Sequence, residues 1–353
     1  MNKPTLMHDA ENITPEWMTE VLNYAGVIGR VDSMTTKSIG TGQVGENVRF
    51  VLDGQGDLPS SVVGKFASND PVSKQTGIAL QNYVKEVFFY NEIAASVEIQ
   101  TPEVYYADII QETHDFAIIM QDLAPGVPGD QIHGCTVDQA ALALEQLAKL
   151  HGPRWGDNSL LKHELLAPKD SAEPDPTKSI YQMVQSGFME RYNNRLSSTD
   201  HEMVKNVGEN IANYVNFNGE KTLIHIDYRL DNMMFGGPYP LAVVDWQSIS
   251  LGCAFNDVSY FMGTSLTPSD RASNEEALLK LYLDALKPYG IDMKWNAAWD
   301  LYRHYAPAGL IMAVIASMIV GETDRGNSMF MAMATRSAIM SEELQSIDLL
   351  SKS

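Results

Sequence analysis

With 353 residues, 44% of them apolar and 20% charged, the chain has the composition of a folded globular protein and the length for two lobes or domains. A net charge of −20 argues against nucleic acid or an anionic membrane as a partner, since both require a basic surface. Cys135 and Cys253 are the two cysteines and form no CxxC pair, which disfavours a disulfide scaffold or a cysteine zinc site and fits a reducing compartment.

The opening residues, MNKPTLMHDAENITPEW, carry no apolar run of the signal-peptide kind. The longest apolar stretch, residues 306–321, contains Pro307 and Gly309 and is short for a bilayer span, so it reads as a buried helix. A cytoplasmic protein without a membrane partner is expected.

Residues 14–24 predict a helix, with Thr14 as N-cap and Pro15 at the first helical position. Residues 34–39, 48–52 and 62–66 are β-prone, with Gly or Pro between them. Gly40-Thr41-Gly42-Gln43-Val44-Gly45 spells GxGxxG, a dinucleotide fingerprint only where a helix follows at once. Here Asn47-Val48-Arg49-Phe50-Val51-Leu52 follows and reads as a strand. A strand–glycine loop–strand is the flap that covers ATP phosphates in kinases, and an ordinary hairpin turn fits this motif equally well by itself.

Lys65 stands inside an apolar strand, where a buried charge needs an anionic partner. Phosphates would serve, as would Glu86 on a predicted helix over 81–95, with Glu92 as second choice; at a strand edge the ammonium would instead reach solvent. Residues 116–120 predict a buried strand that runs into a polar Pro/Gly segment. This change of texture divides the chain into an N-terminal lobe, 1–122, mostly strands, and a C-terminal lobe, 123–353, mostly helices.

Thr136 and Gln139 form a capping box that opens a helix ending near Gly152. Residues 161–178 read as a surface loop, and 181–196 and 202–215 as helices; His133 and His151 have no partner at metal-ligand spacing. Helices are expected from Ala254, over 274–286, 296–305 and 310–320, and as one long element over 328–350.

Between these helices lies the stretch 223–247, where Asp227 and Asn232 are five residues apart. Two short apolar runs, 233–235 and 241–244, flank the turn cluster Gly236-Gly237-Pro238-Tyr239-Pro240 and predict an antiparallel hairpin. Asn232 would enter that hairpin and Asp245 leave it, so both would stand at its open end. Two hard oxygen donors facing one small volume suit Mg²⁺, which fills its other positions with water and phosphate. Asp and Asn are also common turn residues; the joint pattern His-x-Asp-x4-Asn, then strand, then Asp, carries the functional reading.

Taken in one order, the glycine loop, strand lysine, helix glutamate and this run resemble the kinase-like small-molecule phosphotransferases. The nearest groups in appearance are the aminoglycoside phosphotransferase superfamily and its ecdysteroid-kinase-like branch. LAKLHGPRW at 147–155, HIDYRLDNMMF at 225–235 and VVDWQ at 243–247 carry the likeness, which spans roughly residues 39–261. It implies an α+β, two-lobed protein-kinase-like fold, with a small, mostly antiparallel β N-lobe and a larger helical C-lobe.

The resemblance also implies roles. Asp227 would orient or deprotonate an acceptor hydroxyl, and Asn232 and Asp245 would hold Mg²⁺ against ATP. Lys65, paired with Glu86, would contact the α/β-phosphates. Gly40, Gly42 and Gly45 would cover the triphosphate, and Met120, Gln121, Asp122 and Leu123 would form the hinge beside adenine. Arg229 would touch the transferred phosphoryl group or, equally, sit at the surface; His225 would orient the loop and Asp257 tie down its backbone. Ile226 stands where that superfamily usually has Gly, and Trp246-Gln247 replaces the Phe-Gly of protein kinases.

The implied activity is ATP- and Mg²⁺-dependent phosphoryl transfer to a hydroxyl of a small molecule. A nucleotide-binding module without turnover, a protein kinase and a Rossmann-type oxidoreductase are the alternatives. For the acceptor, an acidic chain suits a cationic compound, and a Met- and Tyr-rich helical part equally suits a hydrophobic alcohol.

Overall fold

A computed structural model describes residues 2–40, 45–166, 176–217 and 219–352. Helix α1 (Pro15–Tyr24) opens at Thr14, whose hydroxyl accepts the Trp17 amide. It packs on a five-stranded antiparallel sheet of β1 (Gly29–Ile39), β2 (Gly45–Gly56), β3 (Ser61–Ala67), β4 (Val104–Ile109) and β5 (Phe116–Gln121), in the order β1-β2-β3-β5-β4.

Strand periodicity assigns the two faces of that sheet. Val62 and Phe66 of β3 join Phe50 and Ile119 against Trp17, Met18, Val21 and Leu22 of α1. Val63, Lys65 and Ala67 alternate to the other face, where Tyr83 and Val87 of α3 (Asn82–Phe88) pack on Phe116, Ile118 and Met120. Because β3 lies inside the sheet, Lys65 has no edge from which to reach solvent, and it is 7% exposed.

The sheet half departs from the sequence expectation. Helix α2 (Pro71–Ala79), with Asp70 capping Ser73, and strand β4 were not anticipated. The helix expected over 81–95 is α3 followed by a wider π-type turn, Phe89–Ile93, and a short 3-10 turn, Ala94–Ser96. That widening turns Phe89 onto Trp246, the rings stacked at 3.8 Å and 5°.

Beyond β5 the two-residue strand β6 (Val127–Pro128) pairs with the central hairpin, and helices dominate thereafter. They are α4 (Val137–His151), α5 (Pro176–Arg191), α6 (Ser198–Val215), α7 (Ala254–Ser265), α8 (Pro268–Leu286), α9 (Trp295–His304), α10 (Ala308–Ile319), α11 (Asp324–Glu343) and α12 (Ser346–Leu350). The capping box at Thr136–Gln139 is present in full. A single helix over 328–350 is not: Gln345, with φ +52°, breaks it into α11 and α12. Of the loop expected over 161–178, the last residues already belong to α5, and 167–175 lie outside the described residues.

Leu144, Leu147, Leu150, Tyr228, Phe255, Phe261, Tyr282 and Met340 lie in one large helical core. Apolar α10 is held within it, and among the described residues no helix is long and apolar enough to cross a membrane. Short strands β7 (Thr222–Ile224), β8 (Met233–Phe235), β9 (Leu241–Val243) and β10 (Ser250–Gly252) form two antiparallel pairs, β7 with β10 and β8 with β9, that carry the loops facing the sheet. Among the polar ties that join the halves, the Val243 amide donates to Gln100 O at 2.8 Å, and the Asn82 side-chain amide to Gln247 O at 3.1 Å. The result is an α+β, two-lobed fold.

Candidate active site

Strand pairing decides what meets at the cleft. β8 and β9 pair Met233 with Val243, and the Val244 amide donates to Asn232 O at 3.0 Å, so the chain positions just outside that pair are pinned together. Asn232 therefore enters and Asp245 leaves the same open end. Asp245 adopts φ +68°, a left-handed conformation uncommon for a residue with a side chain and costing on the order of 1–3 kcal/mol. Its carboxylate meets Lys65.

Lys65 Nζ lies 2.6 Å from Glu86 Oε2 and 2.8 Å from Asp245 Oδ1, while Glu92 is exposed. One ammonium between two carboxylates is the electrostatic centre of the cleft. Burial opposes the charge on Lys65, but Asp245 and Glu86 outweigh it and raise its pKa further. Burial also opposes ionisation of Asp245, yet the Lys65 charge and hydrogen bond hold its carboxyl below the ordinary range. For Glu86 burial wins over Lys65, and the carboxyl is pushed up to about 7.

Asp227 faces this cluster from the loop after β7 and is held on both oxygens. Its Oδ1 accepts from Arg229 Nε at 2.9 Å and from the Tyr260 hydroxyl at 2.8 Å, and its Oδ2 accepts from Asn232 Nδ2 at 3.0 Å. Asn232 Nδ2 also donates to Asp227 O, which leaves the amide oxygen turned the other way, an atom suited to a metal. Among the described residues no group of three His, Cys, Asp or Glu side chains is placed to hold a metal ion. The donor set at the hairpin is thus one amide oxygen and one carboxylate, few protein oxygens of the hard kind that Mg²⁺ accepts.

The loop carrying Asp227 is shaped by long-range bonds. Asp257 of α7, fully buried, accepts the backbone N–H of His225 at 2.6 Å and of Ile226 at 2.9 Å. His225 Nε2 donates to Val244 O at 3.3 Å, and its ring leans on Trp246. Ile226 adopts φ +69°, where a β-branched side chain is an outlier.

Arg229 does not stand free at the surface: besides Asp227 it donates from Nη1 to Asp231 at 2.9 Å and to the Met329 sulfur at 3.0 Å. Asp231 in turn accepts both Arg325 nitrogens, at 2.9 and 3.0 Å, and the Gln131 amide. Buried Gln131 bonds the Leu230 amide through its oxygen and Thr264 O through its nitrogen. Tyr260, Gln131, Asp231 and Arg325 were not singled out in the sequence. Nothing in local spacing marks Tyr260, Gln131 or Arg325, because their partners are 33, 99 or 94 positions away, and Asp231 is marked locally by Arg229 alone. His151 donates or accepts within the core, to Tyr282 and Asp257.

On the sheet side, Gly40 follows β1 at φ +75° and Gly45 begins β2, where a Cβ would lie 3.1 Å from Phe66 O. Gly42, with residues 41–44, lies outside the described residues. A strand, not a helix, follows Gly45, which removes the Rossmann alternative. Met120 ends the buried part of β5, and the Gln121 amide donates to Glu103 O. Asp122 is turned back onto the sheet: its carboxylate takes Arg49 at 2.6 Å and Ser61 at 2.7 Å. Leu123 O accepts the Gly126 amide in the turn that follows.

Solved structures share this arrangement of lobes. A choline kinase from Cryptosporidium parvum aligns over 97% of this chain and 96% of its own, with a TM-score of 0.58 at 12% identity. The GDP complex of aminoglycoside 2'-phosphotransferase-IIIa aligns over 91% and 97%, with 0.54 at 12% identity. The gentamicin–APH(2")-IIa complex aligns over 96% and 99%, with 0.52 at 18% identity. At such identities the likeness is one of fold. A search of curated protein sequences gives no match. Family assignment comes from the sequence itself: residues 23–294, which include Lys65, Glu86, the loop with Asp227 and Asn232, and Asp245, match the model of the ecdysteroid kinase-like family, and the chain belongs to that family.

Proposed function

We propose that the protein transfers the γ-phosphoryl group of ATP, with Mg²⁺, to a hydroxyl of a small molecule. The observation that carries this reading is Lys65 held between Glu86 and Asp245 across the cleft from Asp227 and Asn232. Phosphoryl transfer asks chiefly for positioning and for neutralisation of phosphate charge, and this set supplies both. The family and the kinase fold support the reading, as does the GDP named for one structural neighbour. A protein kinase is disfavoured, because no Ala-Pro-Glu segment follows Asp245.

Asn232 and Asp245 would hold the metal, which neutralises phosphate charge when bound. Lys65 contacts the α/β-phosphates, with Glu86 fixing its direction. Gly40, Gly42 and Gly45 flank the triphosphate, and residues 120–123 border adenine. In the transfer the acceptor oxygen forms a bond to the γ-phosphorus. The bond from that phosphorus to the β-bridging oxygen breaks, its electron pair leaves on ADP, and the hydroxyl proton passes to the Asp227 carboxylate. Arg229 and Tyr260 keep that carboxylate aimed through their bonds to Oδ1.

Incubation with Mg-ATP and a panel of hydroxyl compounds, read by mass spectrometry, tests the reading. One panel member should gain a phosphoryl group. Asp227→Asn should slow that turnover on the order of 10²–10⁴-fold with ATP binding retained. Turnover unchanged in the variant removes Asp227 from its role. A nucleotide-binding module without turnover is what remains if ATP binds and no acceptor is ever modified.

A further inference from the structure

Alternating charges run from the Asp227 loop to helix α11: Asp227, Arg229, Asp231 and Arg325. Arg229 stands between two carboxylates that both attract it, with Nε on Asp227 Oδ1 and Nη1 on Asp231 Oδ2, each at 2.9 Å. Asp231 receives a second cation. Arg325 donates from Nη1 to Oδ2 and from Nη2 to Oδ1, the two-pronged fork that matches a carboxylate. Asp227 is met instead by neutral groups, the Tyr260 hydroxyl and the Asn232 amide.

Arg325 is the second residue of α11, inside the first turn, where the Thr323 hydroxyl accepts the Gly326 amide. A cation there faces the positive end of the helix dipole, so the helix itself gains nothing from it. Its gain is made at Asp231. Met329 lies one turn further along the same face, and Arg229 Nη1 donates to its sulfur at 3.0 Å. The helix start is fixed in turn from α5, where the Tyr192 hydroxyl donates to Asn327 Oδ1 at 2.6 Å. Asp130, also near Arg325, is engaged with His133 and with the amides of Ile132 and His133.

We propose that Arg325 is a positioning residue for the transfer: by neutralising Asp231 it leaves Arg229 committed to Asp227 and keeps that carboxylate aimed. The proposal rests on the kinase reading. Without the Arg325 charge, Asp231 competes for Arg229 at full strength and draws the guanidinium off Asp227 Oδ1, which then keeps only the Tyr260 hydroxyl. The competition takes place where water screens little, since Asp227, Arg229 and Asp231 are all at most 19% exposed. Arg325 itself is 46% exposed, so its ion pair adds little to stability. Its weight falls on the direction of Arg229.

Two readouts on the full chain test this: hydrolysis of Mg-ATP, with water in place of the acceptor hydroxyl, and solvent exchange of the Arg229 Nε–H proton, followed by NMR. In Arg325→Met, kcat should fall about tenfold, with KM for Mg-ATP changed by less than about twofold. The thermal midpoint should fall by no more than about 3 °C. The Arg229 proton should exchange about tenfold faster. Arg325→Lys keeps the charge and should recover part of both losses. Asp231→Asn added to Arg325→Met removes the competing charge, so the double variant should turn over faster and exchange more slowly than Arg325→Met alone. A tie that only anchored α11 would be weakened further by that second change. Unchanged exchange in Arg325→Met, or a double variant no better than the single one, would overturn the proposal; the exchange readout decides alone where Mg-ATP is not turned over. Mg-ATP neither bound nor hydrolysed, with the exchange pattern as expected, removes the kinase reading and leaves Arg325 holding Arg229 on Asp227. Hydrolysis without that exchange pattern removes only the role of Arg325.

Discussion

The two sides of the cleft are built in different ways. On the sheet side, Lys65 and Glu86 project from a central strand and a helix, and periodicity alone turns them toward each other. Across the cleft, Asp227, Asn232 and Asp245 stand on loops in which Ile226 and Asp245 take left-handed backbone. Regular structure fixes the first pair; long-range hydrogen bonds from Asp257, Tyr260, Gln131 and Arg325 fix the second set. A site can therefore be rigid for two reasons, and the two should fail differently on mutation.

The largest expected effect is on the charge cluster itself. Lys65→Met would leave buried Glu86 and half-buried Asp245 without their cation, at a cost of about 3–5 kcal/mol in stability. Urea unfolding reads that loss directly; a change below 1 kcal/mol would mean that the two carboxylates find another partner. Asp257→Asn keeps the shape but replaces a charged acceptor of two backbone amides. It should cost about 2–3 kcal/mol, and it should also slow turnover by loosening Ile226 and Asp227. Stability lost with the catalytic rate intact would show that the loop does not depend on Asp257 for its working shape.

A smaller effect concerns pH. Burial raises Glu86 from 4.5 to about 7, so between those values the folded chain holds a proton that the unfolded chain has released. This residue's contribution to stability is present in full below the lower value and is lost as pH rises through about 7. Glu86→Gln should flatten the fall in urea midpoint from pH 5 to 8, a difference on the order of 1–3 kcal/mol. An unchanged slope would show that Lys65 keeps Glu86 ionised throughout.

The same contrast explains what could be read from the chain beforehand. Strand β3 with its single lysine, the capping box at Thr136 and the β8–β9 hairpin are each patterns within one short stretch of chain, and local physics decides them. Strand β4 escaped because Val104-Tyr105-Tyr106-Ala107 shows no alternation: three of its four residues are buried, on different faces. The π-type turn at Phe89 escaped because it answers to Trp246, more than 150 positions away. Tyr260 reads as an ordinary helix residue and Arg325 falls between two predicted helices, and only folding brings them to Asp227 and Asp231.

On the proposed function, Lys65, Asn232 and Asp245 would form one nucleotide–metal site. Calorimetric titration with ATP, with and without Mg²⁺, on wild type and Asp245→Ala tests it most directly. Binding should tighten with Mg²⁺ in the wild type and lose that dependence in the variant. No binding in either condition, or equal Mg²⁺ dependence in Asp245→Ala, would contradict it.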